Sequence, residues 1–201
     1  KKMYPYFCTL HSLAYKCLRL ESHEIMDELD YIELGDMTGR KFVNKMKKGN
    51  GIDFSMPTAQ SQYQDTINLA YAKYPNDKDR LPKIFKEVKL SDYGARSTIL
   101  QMDKDLTNFK RDRHKLEYVD YFNSFLECKN PPALKYLFID EAQDLSAHQW
   151  MVVDMIQQIS KPIETYIAGD DDQAIFRWAG ADIEHFINMA NDKNNTVIPL
   201  T

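Results

Sequence analysis

Leu137-Phe-Ile-Asp-Glu-Ala-Gln-Asp144 and, further along, Tyr166-Ile-Ala-Gly-Asp-Asp-Asp-Gln-Ala-Ile-Phe-Arg-Trp-Ala-Gly-Ala181 share one pattern, an apolar run that ends abruptly in carboxylates. A strand buried on both faces of a parallel sheet reads this way, with polar residues emerging at its carboxyl end. Ligands of open α/β sheets bind at that end. The pattern predicts strands over residues 134–139 and 164–168, joined by a helix from about 146 to 159 whose Val152, Ile156 and Ile159 form an apolar stripe. Such a strand-helix-strand unit makes a right-handed crossover in a parallel sheet. Asp140 and Glu141 then leave the first strand at the edge where Asp170, Asp171, Asp172 and Gln173 leave its neighbour.

Two acidic strand ends side by side suit a hydrated Mg²⁺ on a phosphate chain, because Mg²⁺ takes few carboxylates and keeps several waters. Glu141, one residue further on, is placed to take the proton from an attacking water. A blander reading is that Asp140 and Glu141 merely favour the amino end of the helix beginning near Ser146. The downstream Gly169-Asp-x-x-Gln173 tips the balance towards the metal and base roles.

Asp140-Glu-Ala-Gln-Asp144 and Gly169-Asp-Asp-Asp-Gln-Ala-Ile-Phe-Arg-Trp-Ala-Gly-Ala181 resemble the second and third helicase motifs of the UvrD/Rep family, in superfamily one. Thr9-Leu-His-Ser-Leu-Ala14 resembles the family's Thr-x-His-Ser element, and Val119-Asp-Tyr-Phe-Asn-Ser-Phe-Leu126 the acidic-aromatic helix before the strand that carries Asp-Glu. Four elements in the right order are specific where Asp-Glu alone is not. The resemblance is dense over roughly residues 116–201 and thin between 20 and 115.

That resemblance implies a P-loop NTPase-like parallel sheet, an incomplete RecA-like motor core, with an inserted helical subdomain. It implies ATP and Mg²⁺ as cofactors and single-stranded DNA as partner. Asp140 would hold Mg²⁺ through water and Glu141 would orient and deprotonate the attacking water. Gln173 would sense the γ-phosphate and signal to the DNA site, and Asp170 would complete the nucleotide-side set. Phe176 and Trp178 would stack on DNA bases, each stacked base being worth about 1–3 kcal/mol whatever the sequence. On an extended segment these two rings face the same way and Arg177 the other. Core burial is the rival reading for both. The family pattern has Gly where Arg177 stands, Arg at Ala179 and usually Tyr at Phe176, so one coupling contact differs here. Thr9 and His11 would contact a DNA phosphate, against a buried, hydrogen-bonded His11 as the alternative. A two-metal nuclease site built from Asp140 and Asp170–Asp172 is a minor alternative, lacking the His or Lys such sites usually add.

None of the seven glycines is followed by Lys-Ser or Lys-Thr, so the sequence holds no Gly-x-x-x-x-Gly-Lys-Ser/Thr loop to cradle phosphates. In the family that loop lies upstream of Thr-x-His-Ser, and Val197-Ile-Pro-Leu-Thr201 resembles the strand leading into the next motif. The expectation is therefore an internal piece of a longer helicase. Its missing partners are the phosphate-loop segment and the second motor domain, and alone it should not turn over ATP. A non-catalytic DNA-binding or scaffold remnant of a helicase is the alternative.

With 201 residues, 43% of them hydrophobic, the chain can bury a core of one domain or one domain with an insertion. No apolar run approaches the ~18 residues of a membrane span and there is no signal-peptide pattern, which predicts a cytoplasmic protein. Cys8, Cys17 and Cys128 lack Cys-x-x-Cys spacing and read as reduced thiols. A net charge of −4 argues against tight nucleic-acid binding by this piece alone. Residues 7–20 open as an apolar strand end and become helical through Leu10, Leu13, Ala14, Cys17 and Leu18. Gly49-Asn-Gly51 is a boundary signal. Beyond it, about 56–115 reads as helical, with breaks at Pro75-Asn76 and near Asp92-Tyr-Gly94. The division expected is a motor core of residues 1–48 and 116–201 around a helical insertion of 49–115. Within the insertion, Lys110-Arg-Asp-Arg-His-Lys115 reads as a solvated helix face.

Overall fold

The computed structural model describes residues 6–42, 59–174 and 180–199. Among them are eight α-helices and a two-stranded parallel sheet, a mixed α/β architecture. In chain order the elements are α1 (Leu10–Leu18), α2 (Glu28–Thr38), α3 (Ala59–Lys73), α4 (Arg80–Glu87), α5 (Tyr93–Arg113), α6 (Tyr118–Cys128), β1 (Tyr136–Ile139), α7 (Ala147–Ser160), β2 (Glu164–Ile167) and α8 (Ile183–Asn191). The chain divides into two compact units, one of Lys1–Leu18, Ala72–Asn76 and Tyr121–Thr201, the other of Arg19–Tyr71 and Asp77–Asp120. No helix among the described residues is long and apolar enough to cross a membrane.

In the first unit the predicted strand-helix-strand order is present, with strands shorter than the apolar runs. β1 and β2 pair in parallel with Tyr136 opposite Glu164 and Ile139 opposite Ile167. α7 starts where Ser146 accepts a hydrogen bond from the Gln149 N–H and Gln149 reaches back to the Ser146 N–H, a reciprocal capping box. It stops at Lys161 in the left-handed conformation. His148, Trp150, Val152, Val153, Met155 and Ile156 are its buried face.

Four expectations need correction. Ile159, read as part of the stripe, is 43% exposed because it lies in the last turn of α7, past the buried face. The strands are not buried on both faces. Leu137 and Ile139 are buried, but alternation along β1 turns Tyr136 and Phe138 outwards, and Phe138 stacks flat on Tyr166 with centroids 4.9 Å apart. Residues 7–9, read as a strand end, are irregular with Phe7 fully out in solvent, and residues 197–199 form no strand, with Val197 and Ile198 exposed.

The second unit is helical. The turn signal near residue 92 is the start of α5: the Asp92 side chain accepts hydrogen bonds from the Gly94 and Ala95 N–H groups, at 2.7 and 3.2 Å. Along α5, Ala95, Ile99, Met102, Leu106 and Phe109 recur at spacings of three and four and are all buried. Asp27 caps α2 in the same manner, and Gly39 closes it at φ +66°, a conformation that costs other residues energy. A single parallel bridge joins Ile25 to Leu116.

Candidate functional site at the strand edge

The parallel register sets both strands to end at one level. Beyond Ile139 and Ile167 the backbones stay linked: the Ala168 N–H donates to the Ile139 carbonyl at 2.8 Å and the Ala142 N–H to the Ala168 carbonyl at 2.9 Å. Asp140 and Glu141 therefore emerge beside Gly169 and Asp170, and the sequence reading of a shared acidic edge holds geometrically.

Asp140 and Glu141 are both exposed. One Asp140 oxygen accepts the Glu141 N–H at 3.0 Å. Neither side chain caps α7, whose amino end Ser146 and Gln149 already satisfy. Glu141 sits at φ +52°, a left-handed conformation rare for a residue with a Cβ and costing about 1–2 kcal/mol. It heads a short 3-10 turn over Ala142–Asp144. Backbone strain of this kind gathers at functional sites.

On the β2 side a second 3-10 turn, Asp171–Gln173, begins where an Asp170 oxygen accepts the Asp172 N–H at 3.0 Å. The other Asp170 oxygen accepts a hydrogen bond from Gln173 Nε2. Asp170, Asp171, Asp172 and Gln173 are exposed, and among the described residues none of these acids has an ion-pair partner. Asp144 is half-buried; burial first, and then the charge of Glu141, push its carboxyl upwards.

The residue that sequence reading passed over is Gln143. It is 2% exposed and lies between the two acidic ends. Its Nε2 donates to Glu141 Oε2 at 2.7 Å and its Oε1 accepts the Asp170 N–H at 3.1 Å. Gly169 makes room for it: a Cβ there would stand 2.7 Å from Gln143 Oε1 and 2.9 Å from the Phe186 ring. The available signal was a glutamine embedded among carboxylates directly after a buried strand.

Thr9 and His11 lie at the other end of this unit's sequence, at the start of α1. Thr9 is exposed, and its Oγ accepts the Ser12 N–H at 3.2 Å. The His11 ring packs on Phe122, with centroids 4.2 Å apart, and His148 meets the same phenyl ring edge-on at 5.3 Å. Burial pulls the His11 imidazole down to about 4, so it is neutral at pH 7. Phe176 and Trp178, with Arg177 and Ala179, lie outside the described residues.

Among the described residues no group of three or more His, Cys, Asp or Glu side chains is disposed to hold a metal ion. The two-metal nuclease reading therefore has no ligand cluster at Asp140 and Asp170–Asp172. One exposed carboxylate such as Asp140 still fits a hydrated Mg²⁺, which needs only one or two protein oxygens when phosphates and waters supply the rest.

Residues 3–194 match the model of the UvrD/REP helicase N-terminal domain. The chain is similar to the ATP-dependent DNA helicase Rep of Buchnera aphidicola, 37% identical over 62 residues, which is 31% of this chain and 9% of that protein. Longer, more distant similarities join it to the ATP-dependent DNA helicase PcrA of Staphylococcus epidermidis, 24% identical over 92% of this chain and 25% of that protein. A probable DNA helicase II homolog of Rickettsia conorii is 25% identical over 92% of this chain and 28% of that protein. The chain thus spans at most about a quarter of the length of the first curated relatives it matches.

Proposed function

The chain belongs to the UvrD/REP helicase N-terminal domain family, and from that premise we propose that it is part of an ATP-dependent DNA helicase that couples ATP hydrolysis to translocation on single-stranded DNA and duplex unwinding. The observation that carries the reading is the shared strand edge. Parallel β1 and β2 end level with each other and present Asp140, Glu141, Asp170 and Gln173 together. In this reading the sheet is part of a P-loop NTPase-like motor core, residues 1–48 and 116–201, with 49–115 as a helical insertion. The phosphate loop and the second motor domain belong to the rest of a longer polypeptide. Support comes from the absence of Gly-x-x-x-x-Gly-Lys-Ser/Thr in the sequence and from relatives several times its length.

Each residue then has a task. Asp140 holds Mg²⁺ through water, its exposed carboxylate being a hard oxygen donor. When bound, Mg²⁺ neutralises charge on the phosphates. Glu141 orients the attacking water and accepts its proton. Asp170 fixes the Gln173 amide at the edge, where Gln173 reads the terminal phosphate. Phe176 and Trp178 stack on bases. Of the two α1 residues, exposed Thr9 reaches a DNA phosphate directly, while neutral His11 adds no ionic attraction and supports the helix through Phe122.

The test uses a polypeptide that carries this chain together with a phosphate loop and second motor domain. There Glu141→Gln is expected to lower Mg²⁺-dependent ATP turnover about 10²–10⁴-fold while single-stranded DNA binding persists. Unchanged turnover would remove Glu141 from the base role. The 201-residue chain alone is expected to hydrolyse no ATP. Mg²⁺-dependent turnover by the purified chain, abolished by Glu141→Gln, would overturn the placement of the phosphate loop outside it.

A further inference from the structure

We propose that Gln143 is a positioning residue that ties the Glu141 carboxylate to the Asp170–Gln173 turn, so that the group reading the phosphate and the group activating water move as one. This rests on the roles given above to Glu141 and Gln173. Four residues form a continuous hydrogen-bonded chain: Gln143 Nε2 donates to Glu141 Oε2 at 2.7 Å, Gln143 Oε1 accepts the Asp170 N–H at 3.1 Å, and Asp170 Oδ2 accepts from Gln173 Nε2. The amide can face only one way. A carboxylate only accepts and a backbone N–H only donates, so flipping the amide would set like against like at both ends.

Burial makes Gln143 different from its partners. Asp140, Glu141, Asp170 and Gln173 are all exposed, whereas Gln143 is 2% exposed and shielded from competing water. The backbone bonds from Ala168 to Ile139 and from Ala142 to Ala168 align the two main chains but leave the Glu141 side chain free to rotate. Among the described residues only Gln143 joins that side chain to β2's end. Gly169 protects the link, since any side chain there would strike Gln143 Oε1. Catalytic geometry is sensitive to displacements of about 1 Å, so a hydrogen bond fixing the base matters more to rate than to substrate affinity.

Two substitutions separate the halves of the link. Gln143→Met keeps length and bulk but removes both hydrogen bonds. Gln143→Glu keeps the acceptor for the Asp170 N–H and sets a carboxylate against Glu141. In the 201-residue chain, amide exchange followed by NMR is expected to speed up at Asp170 about tenfold in Gln143→Met, with the Gln173 side-chain amide signals shifting, and to change little at Asp170 in Gln143→Glu. Unaltered Asp170 and Gln173 signals in Gln143→Met overturn the link; if that variant does not fold, unchanged turnover in Gln143→Glu overturns it instead. In the ATP-hydrolysing polypeptide both variants are expected to lose about tenfold or more in kcat with KM for ATP within about twofold. Loss confined to KM, or none, overturns the positioning role. Should Glu141→Gln leave turnover intact, the base reading fails while the exchange arm still decides the link. Should Glu141→Gln abolish turnover while Gln143→Met keeps kcat, the positioning inference alone falls.

Discussion

Charged groups are handled in opposite ways in the two units. In the helical unit they cancel: Lys110 lies between Glu117 and Asp120 at 3.1 and 2.8 Å, Lys115 meets Asp30 at 2.9 Å, Arg40 meets Asp105 at 2.7 Å and Arg113 pairs with Glu33. At the strand edge Asp140, Glu141, Asp170, Asp171 and Asp172 gather exposed, with no cationic partner among the described residues. The first arrangement holds a fold together. Same-sign charge left open to solvent is available to something from outside, and in the function proposed above that is a hydrated cation riding on phosphates. The lesson is that the number of charges in a stretch says little, whereas whether they find partners says a great deal.

That contrast can be broken first at Lys110. Its side chain is 11% exposed, as is that of Glu117. Burial alone would pull the ammonium down, but Glu117 and then Asp120 override it and push it up. Lys110→Met should cost about 3–5 kcal/mol in urea unfolding, because it strands two carboxylates without a counter-charge. Asp172→Asn at the strand edge should stay within about 0.5 kcal/mol. Equal costs at both positions would erase the distinction. The sign with pH follows: a raised lysine contributes stability fully below its unfolded value, and that contribution fades as pH rises through the higher folded value.

Much of this was legible in the sequence, and the reasons are local. Strand ends could be read because apolar runs stop at carboxylates, and the helix starts because Asp92 and Ser146 are side chains that cap. What stayed hidden depends on long-range packing. Arg111 to His114 are exposed, as a solvated face should be, but the pairing of Lys110 stayed hidden because Glu117 and Asp120 lie beyond the end of α5. Gln143 was hidden for a similar reason, its acceptor role being fulfilled by an N–H 27 positions away. The open face of β1 was missed because alternation is invisible when every residue of the run is apolar.

His11 sharpens the comparison from the side of a residue that sequence left open. Phe122, from α6, packs on its ring and in turn meets His148, from α7, and neither is near it in sequence. With its imidazole held at about 4 by burial, the folded state resists protonation that the unfolded chain accepts near 6.5. Its contribution is therefore complete above about pH 6.5 and lost as pH falls towards 4, at most about 3 kcal/mol by linkage. In His11→Leu the fall in urea midpoint between pH 7 and 4 should be smaller than in the native chain. A fall of the same size would mean that His11 is accessible to protons, and the contrast between a packed α1 histidine and an exposed Thr9 would lose its basis.

Gly169→Ala probes the edge itself. Its added methyl meets not a yielding surface chain but Gln143, held at both ends by hydrogen bonds, and the ring of Phe186 at 2.9 and 3.1 Å. Over-packing of this kind costs about 1–3 kcal/mol, because either the amide or the ring must leave its place. If the ring yields, unfolding reports the loss and the Asp170 amide keeps its protection. If Gln143 yields, the Asp170 N–H loses its acceptor and exchanges faster while stability falls as well. Either result shows the two strand ends held in close contact at Gly169. An alanine that changes neither would mean that the two strand ends are held less closely than 3 Å contacts imply, and the edge would then be a loose acidic fringe rather than a built site.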